Sequence, residues 1–200
     1  QAPSTFQWQH RATLQGATGG LNFGTDISLN GDTLAIAAPG YINADRSNGA
    51  VLIYKGVGSS WTLSQTIITP QQLNITDENG WGKKVVLRDD ILTVSWPEVD
   101  DNKGSVSIFH INHSTGLFTT TPESILKPDE LTVGALFGTS IDVDTSDTTE
   151  RICAVGAPGI RSVFEYEREI DSSGVPIWVA KEKIEPTEGQ SGDGFGSVVK

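Results

Sequence analysis

An all-β fold assembled from repeated four-stranded units is what this sequence predicts, and three observations predict it. An aromatic residue followed by glycine recurs as Phe23-Gly24, Trp81-Gly82, Phe137-Gly138 and Phe195-Gly196, at spacings of 58, 56 and 58 residues. Each pair leads into short runs of alternating apolar residues, the period-2 pattern of a half-buried strand. No helical periodicity interrupts the series. Several short strands repeated at a fixed period make a β-propeller blade, a small sheet that buries its faces against its neighbours.

The first strand of each unit carries apolar Ile27 and Leu29, then Val85 and Leu87, then Ile141 and Val143. Polar residues intervene at Asp26, Ser28, Lys84, Ser140 and Asp142, as a strand with one wetter face requires. Second strands run from Thr33 to Pro39, Ile91 to Pro97 and Ile152 to Pro158, each closing on a proline where a missing N–H costs least. Aligned on those prolines, Cys153 falls on the position of Leu34 and Leu92, which predicts a buried thiol. Asn30-Gly31 is a strong type I′ hairpin signal between strands one and two. Asp89-Asp90 serves in the second unit, and the longer Asp144 to Glu150 segment in the third.

Third strands are expected at Gly49–Tyr54, Gly104–Phe109 and Ser162–Tyr166, and fourth strands at Trp61–Ile68, Leu117–Ile125 and Trp178–Ile184. Trp8 to Leu14 matches the fourth-strand pattern and Val198-Val199 starts another first strand. The expected organisation is therefore an outer strand within 1–16, blades at 17–72, 73–130 and 131–188, and the start of a fourth at 189–200. Three and a half blades leave sheet faces and edges uncovered. The expectation is a piece of a larger ring.

Phe-Gly, a strand, a hairpin and Gly-Ala-Pro together resemble the FG-GAP repeat of integrin α-subunit propellers. The fullest copy is Phe137-Gly138 with Gly156-Ala157-Pro158; Phe23-Gly24 pairs with Ala37-Ala38-Pro39 and Trp81-Gly82 with Ser95-Trp96-Pro97. The resemblance implies a ring of about seven blades, inside the range of about four to eight that propellers use. It also implies calcium loops between strands one and two, where several oxygens converge on a hard cation. Asp142, Asp144, Ser146, Asp147 and Glu150 form the candidate calcium loop, although the family's glycine and regular alternation of acids are missing. The first two units have loops too short for this.

Composition narrows the function classes. The chain of 200 residues is 36% hydrophobic, enough for a core, and its 14 basic and 25 acidic residues give a net charge of −11. Duplex binding rests on cationic side chains, so a nucleic-acid partner is not expected. No run approaches the roughly 18 to 20 apolar residues that cross a bilayer. The single cysteine excludes an internal disulfide. No signal peptide is visible, and Gln1-Ala2-Pro3 is compatible with a mature terminus. Asn74-Ile75-Thr76 and Asn112-His113-Ser114 are glycosylation sequons.

His10, His110 and His113 are the only histidines, and no nucleophile elbow accompanies them, so no enzyme activity is expected of these residues. Trp96 replaces the alanine of Gly-Ala-Pro beside the acidic residues Glu98, Asp100 and Asp101, which makes it the tryptophan to test for a ligand contact. The expected function is an extracellular or cell-surface recognition or adhesion module binding a protein, a carbohydrate or copies of itself. The alternatives are a structural block of an extracellular filament or matrix, and an accessory propeller of a secreted hydrolase.

Overall fold

The computed structural model describes residues 9–16, 22–42, 48–70, 80–147 and 150–200. It is all-β, with three separate antiparallel sheets that do not close into a barrel. The first contains β1 (Ile27–Asn30), β2 (Thr33–Ile42), β3 (Asn48–Val57) and β4 (Ser60–Ile68), hydrogen-bonded in chain order. The second contains β5 (Val85–Arg88), β6 (Ile91–Trp96) and β7 (Ser105–Asn112), with β8 (Leu117–Phe118) and β9 (Ser124–Leu126) both paired to β7. The third contains β10 (Ser140–Asp144), β11 (Ile152–Ala157), β12 (Ser162–Ile170) and β13 (Pro176–Ile184), again in chain order. Chain-order antiparallel pairing follows from short connections, because a hairpin brings each strand back beside the one before.

The apolar faces meet between sheets. One core cluster joins Ala35, Ala37, Val51 and Ile53 of the first sheet to Trp81, Val85, Leu87 and Phe109 of the second unit. Another joins Val106, Ile108 and Leu126 of the second sheet to Phe137, Ile141, Val143, Phe164 and Tyr166 of the third unit. The remaining cluster, Ile36, Leu52 and Tyr54 with partly buried Phe23 and Trp61, lies on the other face of the first sheet.

The aromatic–glycine pairs repeat their geometry. Gly24, Gly82 and Gly138 each donate a backbone hydrogen bond into the second strand of their own unit, to Ala37, Ser95 and Gly156, at 2.8, 3.0 and 2.9 Å. Gly82, Gly138 and the later Gly196 also lie against the start of the preceding third strand, whereas Gly24 has open space around it. A Cβ added to Gly82, Gly138 or Gly196 would meet the carbonyl oxygen of Ala50, Ser105 or Ser162 at 2.8, 3.2 or 2.6 Å. All three have φ between +82° and +92°, so any side chain there is strained as well as crowded.

Several expectations are corrected. Ile27 and Leu29 are 61% and 59% exposed, whereas the equivalent Val85, Leu87, Ile141 and Val143 are buried. First-strand apolar residues face the preceding sheet, and no sheet precedes the first among the described residues. The second unit's fourth strand is broken into β8 and β9. Thr119 N–H and Glu123 N–H still reach His110 and Ile108 of β7, so the intervening segment with Pro122, which has no N–H, loops out.

The first hairpin turns through Gly31 and Asp32, since Asn30 pairs with Thr33, and only Gly31 has positive φ. Asp89 plays the same part in the second hairpin at φ 48°. Residues 9–16 and 195–200 carry no strand. A strand exists only through a partner, and neither segment has one in these sheets. Trp8 and the Asn74 sequon lie outside the described residues. The acidic segment after Trp96 forms a left-handed turn, with Asp100, Asp101 and Asn102 at φ 55°, 58° and 61°, a conformation that short Asx side chains tolerate best. Among the described residues no helix is long and apolar enough to cross a membrane.

Candidate functional site

Antiparallel alternation sorts the connections onto two edges. One carries the hairpins between first and second strands together with the turns after the third strands. The other carries the aromatic–glycine turns and the loops between second and third strands. Between the edges, β1, β5 and β10 stand side by side along a groove of about 560 Å³ lined by Asp26, Ser28, Lys84, Arg88 and Asp142. Asp26 and Ser28 accept hydrogen bonds from Val85 N–H and Leu87 N–H, at 3.0 and 2.9 Å. The polar alternation of the first strands therefore stitches one sheet to the next.

The hairpin edge gathers charge. Register places Ile91 opposite His110, and Ile111 N–H donates to the Asp90 carbonyl, which holds the end of β7 against the hairpin of β5 and β6. Asp90 Oδ2 lies 2.9 Å from His110 Nε2 and 3.5 Å from His113 Nε2. Arg151, entering the third sheet, donates to Asp90 Oδ1 at 2.6 Å. Burial alone pushes the Asp90 carboxyl up, but the Arg151 hydrogen bond and the charges of His110 and Arg151 outweigh it and hold it below the usual value. Asp90, His110 and Arg151 are mostly buried, and His113 is open to solvent. The ligand atoms of Asp90, His110 and His113 all lie within 4.8 Å of one another, the only such group among the described residues.

The candidate calcium hairpin sits on the same edge. Asp142 faces the groove, where Arg88 lies 3.4 Å away. Asp144 Oδ1 accepts from Ser146 N–H at 2.8 Å, and hydrogen bonds from Ser146 lower its carboxyl pKa. Thr145 donates to Asp89 Oδ2 at 2.6 Å, tying this hairpin to the neighbouring one. Ser146, Asp147 and Glu150 are exposed, and Thr148 and Thr149 are outside the described residues. The described side chains of this loop do not form a three-ligand cluster. Asn112 is exposed at the tip after β7, where its Oδ1 accepts from Ser114 N–H at 3.0 Å.

At the opposite edge, Trp96 is 1% exposed and packs in the core between the first two sheets. Its ring offers no face to a ligand. Its Nε1 is nevertheless buried without a partner, as are Glu98 Oε2, Ser95 Oγ and Ser105 Oγ, so this loop encloses polar atoms that only water or a small polar group can satisfy. A methyl on Gly80 would overlap the indole, at 2.7 Å from Nε1. Glu98 turns its other oxygen to Lys83 at 2.9 Å.

The chain matches none of the protein-family models with which it was compared. It also matches none of the curated proteins.

Sequence reading placed Asp89-Asp90 in a hairpin and His110 and His113 beside a sequon without joining them. The joining signal was a His-x-x-His spacing at the end of a third strand, with an acidic hairpin at the opposite position in register. Cys153 is buried as expected. Burial, and then the negative charge of Asp142, raise its pKa well above the ordinary thiol value, which disfavours the thiolate.

Proposed function

We propose that the three sheets are consecutive blades of an FG-GAP-like β-propeller and that the chain is part of a non-catalytic recognition or adhesion module outside the cell. The observation that carries this reading is the equivalent seating of Gly82, Gly138 and Gly196 over the preceding third strand. Equivalent contacts at successive interfaces rotate each sheet by a similar amount, and repeated rotation generates a ring. First strands side by side along a central groove fit the same arrangement.

Recognition is favoured over catalysis because the charged and imidazole side chains gather at strand ends and connecting loops, where binding surfaces are usually built. Exposed Asn112 suits a glycoprotein. Three experiments test the reading. Electron microscopy of the polypeptide that contains these residues is expected to show a closed ring, and an open stack of sheets overturns the architecture. Cells are expected to adhere to surfaces coated with the chain; equal adherence to an albumin coat overturns adhesion. Secretion from eukaryotic cells is expected to yield protein whose mass falls after peptide N-glycosidase treatment.

A further inference from the structure

We propose that Asp90, His110 and His113 form a binding site for a zinc-like divalent cation at the hairpin edge of the second sheet. The inference goes beyond the recognition reading and does not depend on it.

Ligand spacing is the first argument. A tetrahedral ion with bonds of about 2.0–2.1 Å holds neighbouring ligand atoms roughly 3.3 Å apart. Asp90 Oδ2 stands 2.9 and 3.5 Å from the two imidazole Nε2 atoms, close to that value on both sides. The site is assembled from two segments about twenty residues apart in sequence, fixed by the backbone bond from Ile111 N–H to Asp90.

The second argument concerns support. His110 Nδ1 lies 3.2 Å from the Ile111 carbonyl oxygen, which anchors the ring from the side away from Asp90 and turns Nε2 toward the carboxylate. Arg151 Nη1 lies 3.3 Å from the same Nε2, a contact that an ion at this atom displaces. An Nδ1–H bonded to a backbone carbonyl is the usual outer support of a ligating histidine. Arg151 meanwhile occupies Oδ1 at 2.6 Å, which orients the carboxylate and leaves Oδ2 for the metal.

Ligand chemistry selects the ion. Two imidazoles and one carboxylate suit zinc and its first-row neighbours, whereas calcium takes six to eight oxygens. With His113 on the solvent side, water completes the fourth position.

The test is titration calorimetry of the full chain with zinc chloride, alongside cobalt chloride followed by visible absorption. His113→Ala is the informative variant, because this exposed side chain is not needed for the fold. One zinc ion per chain is expected, and His113→Ala is expected to weaken it by at least about tenfold, since even second-shell changes cost that much. Cobalt is expected to give the intense absorption of a tetrahedral centre, lost in His113→Ala. His10→Ala is expected to bind as the parent does, with folding of every variant checked by circular dichroism. No zinc binding, or equal binding by His113→Ala, overturns the site and leaves an Asp90–His110–Arg151 ion-pair network. Calcium binding that His113→Ala does not change, without zinc binding, also overturns it.

Discussion

The two inter-sheet interfaces solve one packing problem with different side chains. In the first, Trp81 is fully buried, meets Phe109 edge-on at 6.0 Å and donates to Ser107 Oγ at 3.4 Å. In the second, Phe137 is fully buried and meets Phe164 and Tyr166 edge-on at 5.4 and 6.4 Å. Register makes the third-strand partners equivalent: Phe109 and Tyr166 lie opposite Leu92 and Cys153, and Ser107 and Phe164 opposite Val94 and Val155. Where the inserted ring is the larger indole, the neighbour is serine; where it is phenyl, the neighbour is phenylalanine. Volume is shared across the pair, as dense packing demands. The outer face of the first sheet has Phe23, Leu52 and Tyr54 at the same positions, but Phe23 is only partly buried.

Trp81→Ala tests the interface most severely. It is expected to cost about 3–5 kcal/mol in urea unfolding, the usual range for emptying a buried aromatic site. Phe23→Ala is expected to cost well under half of that; equal losses would erase the contrast between covered and uncovered faces. Gly104→Ala comes next, because the new methyl overlaps the Phe137 carbonyl and φ is +96°. A loss of about 3 kcal/mol is expected, against about 1 for Gly58→Ala, which has positive φ but open space around it.

Volume sharing itself is tested by a double-mutant cycle. Trp81→Phe and Ser107→Phe are each expected to cost about 1–3 kcal/mol, by cavity and by overpacking. Together they rebuild the Phe137–Phe164 arrangement and are expected to recover at least about 1 kcal/mol of coupling. Strict additivity would mean that the two interfaces are not interchangeable.

The smallest effect concerns the last repeat. Arg161 donates to Asp193 Oδ2 at 2.7 Å, and that bond, followed by the one from Phe195 N–H, holds the Asp193 carboxyl below the usual carboxylate range. A depressed carboxyl contributes stability above its unfolded value of about 3.9 and loses it as pH falls through the folded value. Asp193→Asn is therefore expected to lower the neutral urea midpoint slightly and to flatten its fall below about pH 4, the two proteins converging in acid.

Much of the fold was legible because the repeat supplied independent copies of each strand. Two weak runs at Ile27 and Val85 support each other once the same phase returns at Ile141. Burial was less legible. Ile27 and Val85 read alike, and only the presence or absence of a preceding sheet separates them. The break between β8 and β9 had a visible signal in Pro122, which the apolar pattern around it outweighed. The cluster of Asp90, His110, His113 and Arg151 was hidden for another reason. Its members come from the hairpin of one strand pair, the end of a third strand and the adjoining sheet, so the His-x-x-His spacing joins only His110 to His113, and no local spacing adds Asp90 or Arg151. The acids of Asp142 to Glu150 were conspicuous in sequence, yet neighbouring hydrogen bonds turn Asp142 and Asp144 in different directions.

The glycines that follow Trp81, Phe137 and Phe195 carry one more implication. Gly82 and Gly196 rest chiefly on main-chain oxygens, and Gly138 on the Ser105 carbonyl together with Ser95 and Val106, so the tilt from one sheet to the next is set largely by the peptide backbone. Side chains at the joint are then free to trade size with one another over evolutionary time while the pitch of the array stays the same. Inserting even one methyl at that hinge line would alter the pitch, and the error would accumulate with every sheet added.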